Sequence, residues 1–198
     1  MQQTSKNVSK KFPGHDLRVI RTRKMLRDAM IALAIQKGFS SITVNDIAEL
    51  AMVNRATFYR HYQDKYDLVE SYLDELYAEL NSAPVPAASP REPNPGLVKL
   101  FKHIRDNAPF YRAMLGPNGY SGFGERIRRL TEATLRARWQ AAPQTAGRTQ
   151  MPPPMLFSYL SHASYGALVW WLESGLNHSP EQMARWLHHL TLVAFQSG

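Results

Sequence analysis

With 198 residues, 44% of them hydrophobic and none of them cysteine, the chain suits one compact domain or two small ones and excludes disulfide and thiolate chemistry. Its formal net charge of +8 is unevenly placed: residues 1–65 carry 12 Lys/Arg against 5 Asp/Glu, and residues 66–198 carry 12 against 11. An excess confined to the first third is the electrostatic footprint of nucleic-acid binding, not of a uniformly solvated surface. The amino-terminal stretch has no apolar run of the secretory kind, and apolar runs such as residues 29–35 are too short to span a bilayer. A cytoplasmic location without a membrane segment is expected.

Residues 1–16 are polar and basic, with Lys6, Lys10, Lys11 and a Pro13-Gly14 breaker. They are expected to form a disordered basic tail, either frayed or reaching along a nucleic acid. Residues 17–37 read as the first helix, with Ile20, Leu26, Met30, Leu33 and Ala34 as its buried stripe. Arg18, Arg21, Arg23, Lys24 and Arg27 crowd its first half. Positive charge there opposes the helix dipole, a placement that nearby phosphates would explain. Gly38 is a natural stop.

Thr43 then caps a second helix, with Asp46 three residues on as a variant of the capping box. Val44, Ile47, Ala48 and Ala51 recur in it at helical spacing. Asn54 caps a third helix, from Arg55 to about Tyr62. Phe58 and Tyr62 share its inward stripe, and Arg55, Ala56, Thr57, Tyr59, Arg60 and His61 cover the other faces. Two short helices joined by a three- or four-residue turn form the unit that lays its second helix in a major groove.

The pattern T-V-x-D-I-A-x-x-A-x-V-x-x-x-T-F-Y-x-H-Y-x-x-K, from Thr43 to Lys65 with Gly38-Phe39 upstream, resembles the amino-terminal domain of the TetR-like bacterial regulators. The resemblance implies an all-α fold. A three-helix helix-turn-helix domain would occupy residues 17–66, and a helical regulatory and dimerisation domain residues 67–198. It also implies backbone contacts to DNA for Tyr59, His61 and Lys65, and base-edge contacts for Arg55 and Thr57. An Arg at position 55 can read guanine O6 and N7 together. Ala56 leaves room for close approach or a thymine methyl, and Arg60 suits either kind of contact. Thr43, opening its helix, can offer hydroxyl and amide to a phosphate. In one departure, Met52 stands where the family usually has Gly. Either the turn avoids positive φ, or it carries strain of about 1 kcal/mol or more.

Asp64-Lys65 opens a fourth helix running to about Ser82, with Leu68, Tyr72, Leu76 and Leu80 on one side and Asp67, Glu70, Asp74, Glu75 and Glu79 on the other. The resemblance implies that this helix links reader to sensor. Residues 82–95 hold five prolines in fourteen positions and read as a loop or stiff spacer. Helices are expected at residues 96–107, 109–115, 122–141, 155–175 and 180–196. Gly116-Pro117-Asn118-Gly119 and a second proline-rich loop at 143–154 separate them, and Ser179-Pro180 supplies N-cap and N1 of the last. The stretches FKHIRDNAPFYRAML and WWLESGLNHSPEQMARWL resemble the carboxyl domain of one TetR-like subgroup, which pairs F-x-x-I-x-x-N-x-x-F-Y with a late W-W-L-x-x-G and S-P-E.

Gly166 to Leu172 is apolar nearly all round, and Met183, Trp186, Leu187, Leu190 and Phe195 spread widely over the last helix. The last two helices are therefore expected to form a two-fold four-helix interface, an internal core being the alternative. Phe101, Phe110, Tyr111, Met114, Phe123, Tyr159, His162, Tyr165 and Trp170 combine apolar bodies with polar tips. They are expected to line a pocket for a small apolar or aromatic effector, with ordinary core as the alternative. His188 and His189 are adjacent and diverge on a helix, and no HExxH or Cys-His spacing occurs, so no metal or cofactor is expected. His162 near Ser158 and Ser161 lacks a nucleophile elbow, and no enzyme activity is expected.

The reading is a homodimeric regulator of transcription that binds double-stranded DNA at a near-palindromic operator and, as a repressor, is released by its effector. One alternative is a regulator without a small ligand, switched by a protein partner or acting as a co-activator. The other is a helical enzyme or carrier with an incidental basic terminus.

Overall fold

Nine α-helices and one short 3-10 turn make up the regular structure of the described residues, 13–81, 92–141 and 151–196 of the computed structural model, and no strand occurs among them. Residues 1–12 of the expected tail and most of both proline-rich loops lie outside the described residues. Helix α1 (Pro13–Lys37) starts earlier than the Pro13-Gly14 pair suggests. Proline is tolerated in a first helical turn, where its missing N–H has no intrahelical partner to lose. The buried stripe of α1 begins only at Leu26 and continues through Met30, Leu33 and Ala34. Ile20, expected in that stripe, is 63% exposed.

Gly38 ends α1 at φ 80, a left-handed value that favours glycine. A Cβ there would lie 2.8 Å from Asn118 Cβ, so position 38 also needs glycine for space. Helices α2 (Val44–Leu50) and α3 (Arg55–Tyr59) follow and pack on each other. The third helix is shorter than expected, yet the Tyr62 amide still donates to the Phe58 carbonyl at 3.0 Å, so both rings stay inward and buried.

Helix α4 (Lys65–Asn81) touches α1, α5 (Pro95–Asp106) and α7 (Phe123–Ala141). It therefore buries Val69, Leu73 and Tyr77 in addition to the expected Leu68, Tyr72 and Leu76. Asn94 caps α5 and Pro95 opens it. Helix α6 (Ala108–Leu115) lies against α1, and α7 pairs with α8 (Pro153–Glu173), which starts inside the proline run expected to be loop. Helix α9 (Pro180–Gln196) packs on α5. The Arg112 guanidinium donates to the Leu172 carbonyl at 2.8 and 3.2 Å and so satisfies an orphan acceptor at the end of α8. One apolar cluster runs from Leu26 in α1 through Phe58 and Leu73 to Trp171 in α8 and Leu187 in α9. A smaller one joins Leu135 to Leu156, Phe157 and Leu160. Among the described residues no helix is long and apolar enough to cross a membrane.

Candidate nucleic-acid interface

Two local caps set the α2–α3 unit. The Thr43 amide donates to Asp46 Oδ2 at 2.7 Å, its hydroxyl donates to the same oxygen at 2.8 Å, and the Asp46 amide donates back to Thr43 Oγ1 at 3.2 Å. This is a complete capping box with Asp in place of the usual Glu. These hydrogen bonds, backbone first, and Lys37 at 3.0 Å hold the Asp46 carboxyl down at about 2. Both Thr43 donors expected to meet a phosphate are thus taken by Asp46, and Thr43 acts as a cap.

Of the two conformations open to the turn between the two helices, the positive-φ one is adopted. Met52 sits at φ 54 and is 84% exposed. Asn54 Oδ1 then accepts from the Thr57 amide at 2.7 Å and the Thr57 hydroxyl at 2.9 Å, fixing the start of α3. With Phe58 buried, Arg55, Ala56, Tyr59 and Arg60 are left together on the exposed side of α3. The Arg55 guanidinium lies 5.4 Å over the Tyr59 ring and donates to the Tyr59 hydroxyl at 3.1 Å. Arg60 donates to Thr57 Oγ1 at 2.9 Å. Both arginines therefore lie back on their own helix and can swing outward at the cost of exposed contacts, each worth little in water.

Thr57 and His61 are half-buried beside this face, in a groove that α1 completes with Arg18, Arg21 and Thr22. Burial first, then the charges of Arg23 and Arg60, push the His61 imidazole below its ordinary value, so it is neutral at physiological pH. Arg18 and Arg21 join the predicted set through this groove. Their crowding at the start of α1 was the signal for them.

Lys65 needs correction. Its ammonium donates to the carbonyls of Phe39 at 2.9 Å, Ser40 at 3.1 Å and Ile42 at 2.8 Å, which uses all three of its protons. It also lies 4.9 Å from the Phe39 ring centroid. Lys65 is a clasp between the start of α4 and the segment before α2, with no donor left over for a phosphate. Tyr120 and Asn118, outside the expected reader, complete this junction. Phe39, Tyr66 and Tyr120 form a ring cluster with centroid separations of 5.1 to 5.7 Å. The Tyr120 hydroxyl donates to Glu70 Oε1 at 2.8 Å, and the Ser40 amide to the Asn118 carbonyl at 3.0 Å. The turn after α6 is thereby tied to the helix-turn-helix.

The expected ligand set is not one site. A cavity of about 100 Å³ does lie among α4, α5, α7, α8 and α9, but of that set only Phe101 and Tyr165 line it. Phe110, Tyr111, Met114 and Phe123 are fully buried and pack ring against ring, with Phe110–Phe123 centroids at 5.8 Å. They are core because α6 is enclosed by α1, α5 and α7. Tyr159 (62% exposed), Trp170 (49% exposed) and His162 lie on the outer side of α8, away from the cavity. The lining that sequence did not single out includes Tyr77, Leu97, Ile127, Thr131 and Arg138.

Comparison with known proteins matches a C-terminal region of transcriptional regulators to residues 91–192, just over half of the chain, and bacterial regulatory proteins of the tetR family to residues 26–72. Two curated relatives come from Bacillus subtilis (strain 168). The uncharacterized HTH-type transcriptional regulator YxbF is 37% identical over 78 residues, 39% of this chain and 20% of YxbF. The uncharacterized HTH-type transcriptional regulator YvkB is 39% identical over 54 residues, 27% of this chain and 29% of YvkB. The matched stretches thus span less than a third of either relative's length. Among solved structures, the dihydroxyacetone kinase operon activator DhaS is 20% identical with a TM-score of 0.66, over 90% of this chain and 99% of that one. A TetR transcriptional regulator from Streptococcus agalactiae 2603V is 24% identical with a TM-score of 0.65, over 90% and 97%. At these identities the two structures share the fold.

Proposed function

The chain belongs to the tetR family of bacterial regulatory proteins, and from that premise we propose that it is a homodimeric, sequence-specific DNA-binding repressor released by a small effector. The observation that carries this reading is the exposed side of α3, where Arg55, Ala56, Tyr59 and Arg60 stand together beside Arg18 and Arg21 of α1. A short capped helix with small and bidentate side chains outward is suited to a major groove, and the flanking arginines to phosphates. Residues 17–66 then form the reader, and residues 67–198 the regulatory and dimerisation part, with the outer sides of α8 and α9 meeting a second copy. The small apolar or aromatic effector occupies the cavity, whose lining includes Tyr77 and Leu80 on the far end of α4 from Lys65. It changes reader spacing through that helix. A tenfold loss of operator affinity requires about 1.4 kcal/mol of differential binding to the two spacings.

The test is a fluorescence-anisotropy titration of operator and single-base variants. Arg55→Ala should relax preference at one base position of each half-site by about 1–3 kcal/mol, while affinity for unrelated DNA changes little. Unchanged preference at every position would remove the base contact assigned to Arg55.

A further inference from the structure

The cavity differs from a plain apolar pocket at one residue, and we propose that it takes a small monocarboxylate whose head pairs with Arg138 and whose apolar body fills the space below. This inference rests on the effector reading and names the effector's chemical class. Phe101, Ile104, Ile127 and Leu168 supply apolar wall, and the volume is about 100 Å³. Apolar cavities of about 150 Å³ hold benzene, so in this smaller space the body is at most a single small ring or a short alkyl chain.

Helix α7 carries five arginines in its exposed and flanking positions, and four of them have carboxylate partners. Arg126 pairs with Asp74, Arg128 and Arg129 with Glu125, and Arg136 with Glu132. Arg138 has no ion-pair or hydrogen-bond partner among the described residues, although it lines the cavity and is half-buried. Burial pulls its pKa below the ordinary value with nothing among the described residues to restore it. A guanidinium in that setting is poorly solvated and unmatched, and a bound carboxylate supplies the missing charge in a two-bond fork.

Four of the hydroxyls around it are already engaged. Tyr77 Oη meets Thr131 Oγ1 at 3.3 Å, Thr134 Oγ1 donates to the Leu130 carbonyl at 2.9 Å, and Thr191 Oγ1 to the Leu187 carbonyl at 2.8 Å. Arg138 is the one charged side chain among the described residues of the lining, so recognition of charge falls to it. Ile127, Thr131 and Arg138 stand on one face of α7, and the eleven residue steps from first to last span about 16 Å. The charged end of the ligand lies at the carboxyl end of α7 and its body points toward Ile127 and Phe101.

The experiment measures binding of benzoate, hexanoate and octanoate to the full chain by calorimetry and thermal shift, with benzamide, hexanamide and hexylamine as neutral and cationic counterparts. The acids should bind and raise the melting temperature, and the counterparts should bind about ten- to a hundredfold more weakly. Arg138→Gln should lose the acids by the same factor, and Arg138→Lys should keep part of the affinity. Because Arg138 has no partner among the described residues, ligand-free Arg138→Gln should melt no lower than the natural protein. Acids binding Arg138→Gln as tightly as the natural chain, amides binding as tightly as acids, no acid binding at all, or a lower ligand-free melting temperature for Arg138→Gln would each overturn the proposal. The two readings separate at the operator. Amides that bind and release DNA where acids do neither sink the anion class and leave the effector reading standing. Acids that bind through Arg138 without altering operator affinity keep the anion site and sink the effector reading.

Discussion

Met52 holds a left-handed backbone with 84% of its surface in solvent, so its side chain gives back little for the strain. Met52→Gly should raise stability by about 0.5–1 kcal/mol in urea denaturation, since glycine adopts that φ freely. An unchanged or lowered midpoint would mean that the turn is not strained. Lys65→Met keeps the aliphatic stem and leaves the carbonyls of Phe39, Ser40 and Ile42 without their shared donor. It should cost about 1.5–3 kcal/mol, the scale of hydrogen bonds to a charged group. A lysine serving only as a phosphate contact would change stability by less than about 0.5 kcal/mol. The difference between Thr43 and Lys65 shows what sequence can carry at this scale. The Thr43–Asp46 and Asn54–Thr57 caps close over three residues, so spacing alone reveals them. Lys65 finds its acceptors 23 to 26 residues earlier, and a lysine looks the same in sequence whether its head meets a phosphate or a carbonyl.

Helices α8 and α9 turn their other apolar sides outward. Met155, Tyr159 and Trp170 on α8 and Trp186, Leu190 and Val193 on α9 are all exposed, at the i, i+4, i+15 positions of one helical stripe on α8 and at i, i+4, i+7 on α9. His178 lies between two of these rings, stacked on Trp170 at 5.6 Å and edge-on to Trp186 at 4.9 Å, so the stripe is continuous across the turn between the helices. A surface of this kind is the place for the proposed second copy. Sedimentation at micromolar concentration should give the dimer mass for the natural chain and the monomer mass for Trp186→Glu, with the helical circular dichroism of both alike. A Trp186→Glu variant that stayed dimeric would move the interface elsewhere. Periodicity made the helices and their apolar residues legible, nearly to their ends. It did not say which apolar side meets which neighbour. Phe110 and Tyr159 look equivalent in sequence, yet one is enclosed by four helices' packing and the other faces solvent. For the same reason the cavity lining was missed: it is assembled from parts of five helices, and no single helix displays it.

Across the whole molecule, the reader is tied to the rest at two places that lie side by side. The Lys65 clasp joins α4 to the segment before α2, and Asn118 and Tyr120 reach the same segment from the turn after α6. In the proposed switch, a shift of α4 or of the turn after α6 would reach α2 and α3 through these hydrogen bonds and packed rings. This is the mechanical basis for reading the chain as one switch whose output is the distance between two α3 helices. The sequence carried the outline of the output end, as the helix-turn-helix pattern and the charge asymmetry, because that pattern is local. The coupling end depends on contacts such as Tyr120–Glu70, 50 residues apart, which no local pattern announces. The account stands or falls on the geometry of the output. Selection of binding sites from random duplex DNA with the full chain tests it most directly. The account predicts enrichment of a near-palindrome whose two half-sites are centred about 34–36 Å apart on one face of the duplex, protected as a pair and weakened steeply by salt. Enrichment of a single unpaired half-site, or binding with no sequence preference at all, would contradict it.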